Sequence, residues 1–318
     1  MTETEHWIAL VVALLVFLWV DLHFFARGRE PSFREGVVWS IGWLVVSLLA
    51  GVVLLLTDGH ERAVEYTTVY LIERSLSLDN LFVFILLFAY FSVPVELRAR
   101  LLFFGIVFAL ILRGLAIAGG ITLIEQFHFT IYVLGALLIV LAYRILQGVE
   151  EGADPDRNFV VRMVRKVFPV TDGYFGNAWF HRIDHKLHAT PLFVCLTAIV
   201  AADIAFAIDS IPAALAISDD TFVVWMGNVF ALLGLRALFV LVEGLIRRFR
   251  YLDQTIAIVL ALVGVKLLIE DVVHIGPVGS LAIVLGAFAI GIIASEVADR
   301  REAHSSSSTA SGSGSTSS

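Results

Sequence analysis

Long apolar runs recur along the whole chain, separated by short polar joints. The run from Gly36 to Leu56 carries no charged residue, and neither does the run from Val278 to Ser295. A helix that crosses a bilayer core needs ~20 consecutive apolar residues. On that measure the pattern predicts nine membrane-spanning helices, at 6–26, 36–56, 65–91, 99–123, 130–147, 191–217, 221–246, 253–271 and 278–297. Gly and Pro punctuate the joints, as in Ser92-Val93-Pro94 and Ile275-Gly276-Pro277. The expected fold is all-α, a polytopic transmembrane helical bundle forming one domain over residues 1–300. Residues 148–190 are its single long polar connection. Residues 301–318 are dominated by Ser and Gly and read as a disordered tail with nothing to bury.

Composition agrees. Of 318 residues, 59% are hydrophobic and only 16% charged, more apolar surface than one soluble core can hide. The net charge of −7 and the scattering of basic residues argue against nucleic acid as a partner. The lone Cys195 lies in an apolar run and excludes an intrachain disulfide. The first apolar segment reads as a retained helix, because its leader has no basic residue and Asp21 interrupts it.

Basic residues set the expected orientation. Arg27, Arg29 and Arg34 fall between spans 1 and 2, Arg98 and Arg100 between spans 3 and 4, and Arg157 to Lys186 between spans 5 and 6. Arg247, Arg248 and Arg250 fall between spans 7 and 8, and Arg300 and Arg301 follow span 9. The other side carries only Arg62. The positive-inside rule then places the N-terminus outside and the C-terminus inside. Arg113 and Arg236 remain deep within spans, where a charge costs at least ~2.5–3.5 kcal/mol and demands a partner.

Partners emerge when the chain is aligned with itself. Glu73-Arg-Ser-Leu-Ser-Leu-Asp79-Asn80 matches Asp203-Ile-Ala-Phe-Ala-Ile-Asp209-Ser210: an acid, five residues, a second acid, a small polar residue. Gly105-Ile-Val-Phe-Ala-Leu matches Gly227-Asn-Val-Phe-Ala-Leu, with Arg113 and Arg236 following at nearly equal offsets. Spans 3–5, about 65–147, therefore repeat as spans 6–8, about 191–271. An odd number of spans reverses the second copy, and inverted repeats in transporters place the substrate site near the midplane at the repeat interface.

The acids define the candidate chemistry. Two acids at this spacing sit ~9 Å apart along a helix and about 120° around it, so one helix alone cannot clasp an ion with both. Antiparallel spans 3 and 6 can, with Glu73 and Asp209 expected at one level and Asp79 and Asp203 at the other. Asn80, Ser210, Ser75 and Ser77 add neutral oxygens, and Pro212 can free backbone carbonyls at a kink. All-oxygen ligands suit hard cations such as Mn, Ca or Mg, here as transported substrate rather than prosthetic group. Paired buried acids also take up protons, which makes cation–proton exchange a natural mechanism. The alternative is that the acids only neutralise Arg113 and Arg236 as structural ion pairs.

Other residues carry weaker signals. Asp21 is a candidate gate. Glu243, Glu270 and Asp271 fall near span ends and read as interfacial. Trp7, Trp39 and Trp43 read as interfacial anchors. His181, His185 and His188 would share one face if their segment were helical, a spacing suited to a transition metal. No Ser/His or metalloprotease arrangement lies within the spans, so no enzyme is expected; intramembrane aspartyl chemistry by the two acids is the third and weakest alternative.

The two acidic motifs, Glu73-Arg-Ser-Leu-Ser-Leu-Asp-Asn-Leu-Phe-Val-Phe and Ala202-Asp-Ile-Ala-Phe-Ala-Ile-Asp-Ser-Ile-Pro-Ala, resemble the signatures of the TerC/Alx family, as does Ala189-Thr-Pro-Leu-Phe. The resemblance runs over residues 6–300. It implies a bacterial cytoplasmic-membrane protein linked to metal homeostasis, with manganese exporters and proteins named for tellurium resistance among its relatives. It also implies that Glu73, Asp79, Asp203 and Asp209, with Asn80 and Ser210, are the functional motif positions. Plant relatives linked to thylakoid membrane assembly raise the competing role of a membrane scaffold. An acidic site would repel tellurite, so the physics favours a cation.

Overall fold

A computed structural model describes residues 3–25, 32–119, 129–146, 169–183, 185–246 and 252–269. Between 272 and 295 it describes 272–273, 275, 279, 282–287, 289–291 and 293–295. The chain is an all-α bundle. Its helices are α1 (Glu3–Phe25), α2 (Phe33–Thr57), α3 (His60–Tyr90), α4 (Val95–Gly119), α5 (Phe129–Leu146), α6 (Pro191–Leu215), α7 (Thr221–Leu233), α8 (Leu235–Ile246) and α9 (Leu252–Ile269). Helical turns at 282–287, 289–291 and 293–295 occupy the ninth expected span. The expected span 221–246 is broken by a turn at Gly234 into α7 and α8. The expected tail, 301–318, lies outside the described residues.

Local chemistry sets the helix ends. The Ser32 hydroxyl accepts from the Glu35 N–H at 3.3 Å, and the Glu35 carboxylate accepts from the Ser32 N–H at 2.8 Å, a reciprocal cap that starts α2. Gly59, at φ +95°, turns the chain from α2 into α3, a conformation open to glycine because it lacks Cβ. Pro191 opens α6, where a missing N–H is harmless. Asp220 caps α7 by accepting from the Phe222 N–H at 2.9 Å.

The bundle is apolar outside as well as inside. Trp19, Val38, Leu56 and Ile290 are each more than 60% exposed, and exposed Leu, Ile and Val line α1, α2 and α5. Such a surface is stable in a lipid bilayer and not in water. Among the described residues, four helices, Phe33–Thr57, Val95–Gly119, Pro191–Leu215 and the α7–α8 stretch Thr221–Gly244, are long and apolar enough to cross a membrane; shorter apolar segments accompany them.

α3 occupies the centre, packed against α2, α6 and α7, while α4 packs against α6 and α7, and α5 runs along α9. The last pair touches backbone to backbone. A Cβ at Gly135 would come within 2.9 Å of the Gly264 carbonyl oxygen, and a Cβ at Gly264 within 2.9 Å of that of Gly135. Small residues allow this approach, from which dispersion contacts in a membrane gain most.

Polar contacts clamp both ends. At one end His6 of α1 meets Asp58 at 3.0 Å, and Arg62 bridges Asp58, at 3.5 Å, and Asp220. At the other, Arg98 pairs with Glu243 of α8, the Tyr174 hydroxyl donates to the Phe91 carbonyl at 2.7 Å, and the Arg100 guanidinium lies 4.9 Å from the Trp179 ring centre. Glu243 thus ties two helices together at the bundle end. Glu270 and Asp271 lie outside the described residues.

Two expectations are corrected. The segment with the histidines forms an antiparallel hairpin, β1 (Phe180–Ile183) and β2 (Lys186–Ala189), not a helix. His181 and His188 face each other across its strands, and the His181 ring stacks on Phe175 at 4.0 Å. His185, at φ +63°, lies in the turn, so the three do not share a helical face. Trp43 is only 5% exposed and packs edge-on to Phe17, inside the bundle rather than at an interface.

Candidate functional site

The middle of the bundle holds a charged cluster built from four helices. Arg113 projects from α4 and is 1% exposed. Its Nη2 donates to Asp203 Oδ1 at 3.2 Å and its Nε to Asp203 Oδ2 at 3.4 Å, a two-pronged contact with α6. Its Nη1 donates to Glu73 Oε2 of α3 at 2.6 Å, to Asn228 Oδ1 of α7 at 2.8 Å and to Ser210 Oγ of α6 at 3.3 Å. Glu73, Asp203, Ser210 and Asn228 are all buried to within 2%. Removing three charges from water is costly, and it is offset only by direct pairing with the remaining lone pairs and protons satisfied. Arg113 meets that condition by spreading its donors over both acids and two neutral oxygens. Glu73 does not, because its Oε1 is buried without a hydrogen bond.

Local sequence explains the convergence. Glu73 opens an acidic motif midway along α3 and Asp203 opens one in the otherwise apolar α6, and Arg113 lies on the buried stripe of α4 with Leu102, Gly105, Ile106, Ala109 and Ile117. Pro212, inside α6, has no N–H for the Ile208 carbonyl one turn earlier, which loosens the helix beside Ser210.

The structure brings together Glu73, Asp203, Ser210 and Arg113 of the expected residues. The expected facing pairs, Glu73 with Asp209 and Asp79 with Asp203, each include a side chain outside the described residues. The first acid of each motif meets its counterpart through one guanidinium. A long arginine side chain bridges a vertical offset between helices, and level-counting alone ignores that reach. Asn80 is buried on α3 and Arg236 on α8. The side chains of Asp79, Asp209 and Asp21 lie outside the described residues. Among the described residues, no three His, Cys, Asp or Glu side chains gather as a metal cluster.

Sequence reasoning missed Asn228. Its amide accepts from Arg113 and donates to the Val224 carbonyl at 3.1 Å. The available signal was an amide side chain inside the apolar stretch Thr221–Leu233. Arg74, next to Glu73, reaches away from the cluster. Its Nη1 donates to the Ala231 carbonyl at 3.1 Å, and its guanidinium lies against Gly234 at the α7–α8 break.

A many-helix bundle with an apolar exterior and an ion-paired core is a multi-pass integral membrane protein. The chain belongs to the integral membrane protein TerC family, whose model matches residues 58–303. It is 35% identical over 295 residues to an uncharacterized membrane protein of Myxococcus xanthus, with 92% of each chain covered. It is 34% identical over 290 residues to an uncharacterized membrane protein of Rickettsia conorii, covering 91% of this chain and 96% of that one. It is also 35% identical over 297 residues to an Escherichia coli K12 protein named "Putative membrane-bound redox modulator Alx", covering 90% and 92%. No solved structure matches the chain.

Proposed function

We propose that this protein transports divalent metal cations, manganese foremost, across a bacterial cytoplasmic membrane by exchange with protons, its N-terminus outside. One observation carries the reading. Acids from two helices, Glu73 and Asp203, converge on Arg113 in the buried core, and one carboxylate oxygen of Glu73 is left unsatisfied. Intramembrane ionisable groups that face the bundle interior mark ion and proton paths. The arginine holds the acids while no metal is bound. An arriving divalent cation competes with it for the carboxylate oxygens, with Ser210 and Asn228 as neutral ligands and the motif acids Asp79 and Asp209 completing the site. Oxygen ligands of this kind suit Mn, Mg or Ca.

The helix contacts support the inverted repeat on which this mechanism rests. α3 packs on α7 as α6 packs on α4, and α5 packs on its own counterpart α9. A two-fold axis in the membrane plane produces that exchange of partners, and rocking one repeat against the other gives alternating access.

Metal flux into proteoliposomes loaded with a divalent-sensitive dye tests the proposal. Wild type should carry Mn under an imposed pH gradient, and Asp79→Asn, Asp209→Asn and Glu73→Gln should abolish flux while remaining folded. Equal flux in all variants, or none in folded wild type, would transfer the assignment to a scaffold whose core charges are structural. The saturation of Arg113 by two acids is the observation that favours that second reading.

A further inference from the structure

The charged cluster is covered unequally on its two sides. Four helices supply it: Glu73 from α3, Arg113 from α4, Asp203 and Ser210 from α6, and Asn228 from α7. One helical turn toward the His6–Asp58 end, each of these helices carries a buried apolar residue. Val69 precedes Glu73 by four positions, Ile117 follows Arg113 by four, Ala214 follows Ser210 by four, and Val224 precedes Asn228 by four. α3 and α7 start at that end while α4 and α6 finish there, so all four offsets point the same way, about 6 Å along each helix. Together with Ala207 and Ile211 these residues form an apolar cluster of their own, separate from the main core, and each is at most 8% exposed. Glycines draw the layer tight. A Cβ at Gly227 would lie 2.6 Å from Val69 Cγ1, and a Cβ at Gly114 would lie 2.7 Å from Trp225 Nε1, so α3 and α4 both close on α7 here.

A second layer covers the first. About one turn further out, polar side chains tie the start of α3 to the joint between α6 and α7. Arg62 pairs with Asp220, and the Ser218 hydroxyl donates to Glu65 Oε2 at 2.5 Å. Ser218 Oγ also accepts from the Asp220 N–H at 3.2 Å, so both contacts act on one short joint. The Arg62 side chain is 39% exposed, and an ion pair within reach of water exchanges readily for hydration. Toward the opposite end the same four helices run into the main core, where Leu81, Ile106, Ile199 and Leu232 are each at most 3% exposed. On the latched side, one apolar layer and a partly hydrated latch separate the cluster from the end of the bundle.

We propose that this stack is the gate through which the cation passes between the cluster and the outer solution. Val69, Ile117, Ala207, Ile211, Ala214 and Val224 form its constriction, and the Arg62–Asp220 and Glu65–Ser218 contacts form the latch that holds it shut. The inference rests on the transport reading and on the orientation given with it. An apolar constriction stops a hydrated cation, which would have to trade water for side chains without lone pairs. Moving the α6–α7 joint off α3 parts the layer. Glu65 and Asp220, released from their partners, then offer the ion carboxylate oxygens at the mouth.

Reporter thiols in nanodiscs test the gate apart from transport. In a Cys195→Ala background, Ala207→Cys and Ala214→Cys probe the constriction, and Ala109→Cys, one turn from Arg113 toward the other end, is the control. All three should react slowly with a small hydrophilic methanethiosulfonate. Breaking the latch with Arg62→Gln and Glu65→Ala should speed the constriction thiols about ten-fold and leave the control unchanged, because only a hydrated thiol ionises and meets the reagent. No change at the constriction would overturn the gate. Equal acceleration of all three thiols would also overturn it, by showing general loosening. Locking supplies the converse. A short bifunctional methanethiosulfonate joining Glu65→Cys to Ser218→Cys should abolish the Mn flux that the same variant shows before linking, and a reductant should restore it. Undiminished flux in the locked protein would overturn the gate and leave the transport reading standing. A folded wild type that carries no Mn would sink the transport reading, and the thiol rates would still decide the latch.

Discussion

Glu73 and Arg74 are neighbours of opposite charge on α3, yet they serve different helices. Glu73 accepts from Arg113 of α4 at 2.6 Å, while Arg74 donates to the Ala231 carbonyl of α7 at 3.1 Å. Successive residues on a helix point about 100° apart, so the pair cannot neutralise itself and each finds a partner across the bundle. Arg74 thereby fastens α3 to the turn at Gly234. In a helix broken within the membrane, carbonyls near the break need outside donors, and Arg74 supplies one to Ala231.

Gly234→Ala tests that fastening. The added Cβ would meet the Arg74 guanidinium, a flexible group that can swing aside only by giving up Ala231. A loss of about 1–3 kcal/mol is expected from the stranded carbonyl. It should appear as a lowered thermal unfolding temperature in detergent, while Gly286→Ala, with nothing within 4 Å of its Cβ, stays near wild type.

Arg113 should be the most stability-sensitive charge in the bundle. Arg113→Met leaves Glu73 and Asp203 buried without their counter-ion, a change that costs about 3–5 kcal/mol. Adding Glu73→Gln and Asp203→Asn removes both stranded charges and should restore much of the loss. Denaturation in detergent of the single and triple variants reads the difference; a single variant as stable as wild type would mean that the acids are neutral in the folded protein.

The α5–α9 contact is intolerant of volume. Gly135→Ala and Gly264→Ala each drive a Cβ to 2.9 Å from a backbone oxygen that no rotamer can move. Overpacking of this kind costs about 1–3 kcal/mol. Both variants should lose thermal stability, and Gly42→Ala, whose Cβ has nothing within 4 Å, should not.

Asp58, just beyond the end of α2, gives the fold an acid-sensitive clasp. Burial raises the pKa of its carboxyl, but the hydrogen bond from Thr57, the charge and hydrogen bond of His6, and the Arg62 charge outweigh burial and hold it below its ordinary value of 3.8. A carboxyl held below its unfolded value contributes stability above that value and loses it as pH falls through the folded one. Asp58→Asn should therefore unfold at lower temperature than wild type at neutral pH, with the gap closing below pH 3.8. A gap that persists in strong acid would show that shape, not charge, holds the clasp.

What the sequence determined by itself is the apolar exterior, the helical character of each span and the presence of charged residues that must be paired. These follow from composition and period alone, because a bilayer forces every spanning segment to satisfy its own backbone. Asn228 and the Glu73–Asp203 meeting lay beyond it. Which donors reach which acids depends on helix offsets of a few ångströms and on the length of the Arg113 side chain, and no single helix encodes either. The histidine hairpin is likewise a tertiary outcome. Its strands lie under the α6 start, where the Thr190 hydroxyl donates to the Ala178 carbonyl at 2.8 Å and the Ala189 N–H to the Pro169 carbonyl at 2.9 Å. The unmatched hydroxyls of Ser40 on α2 and Ser77 on α3 were also hidden. Ser40 and Ser77 resemble any other helical serine until packing decides that their hydroxyls are buried and unmatched.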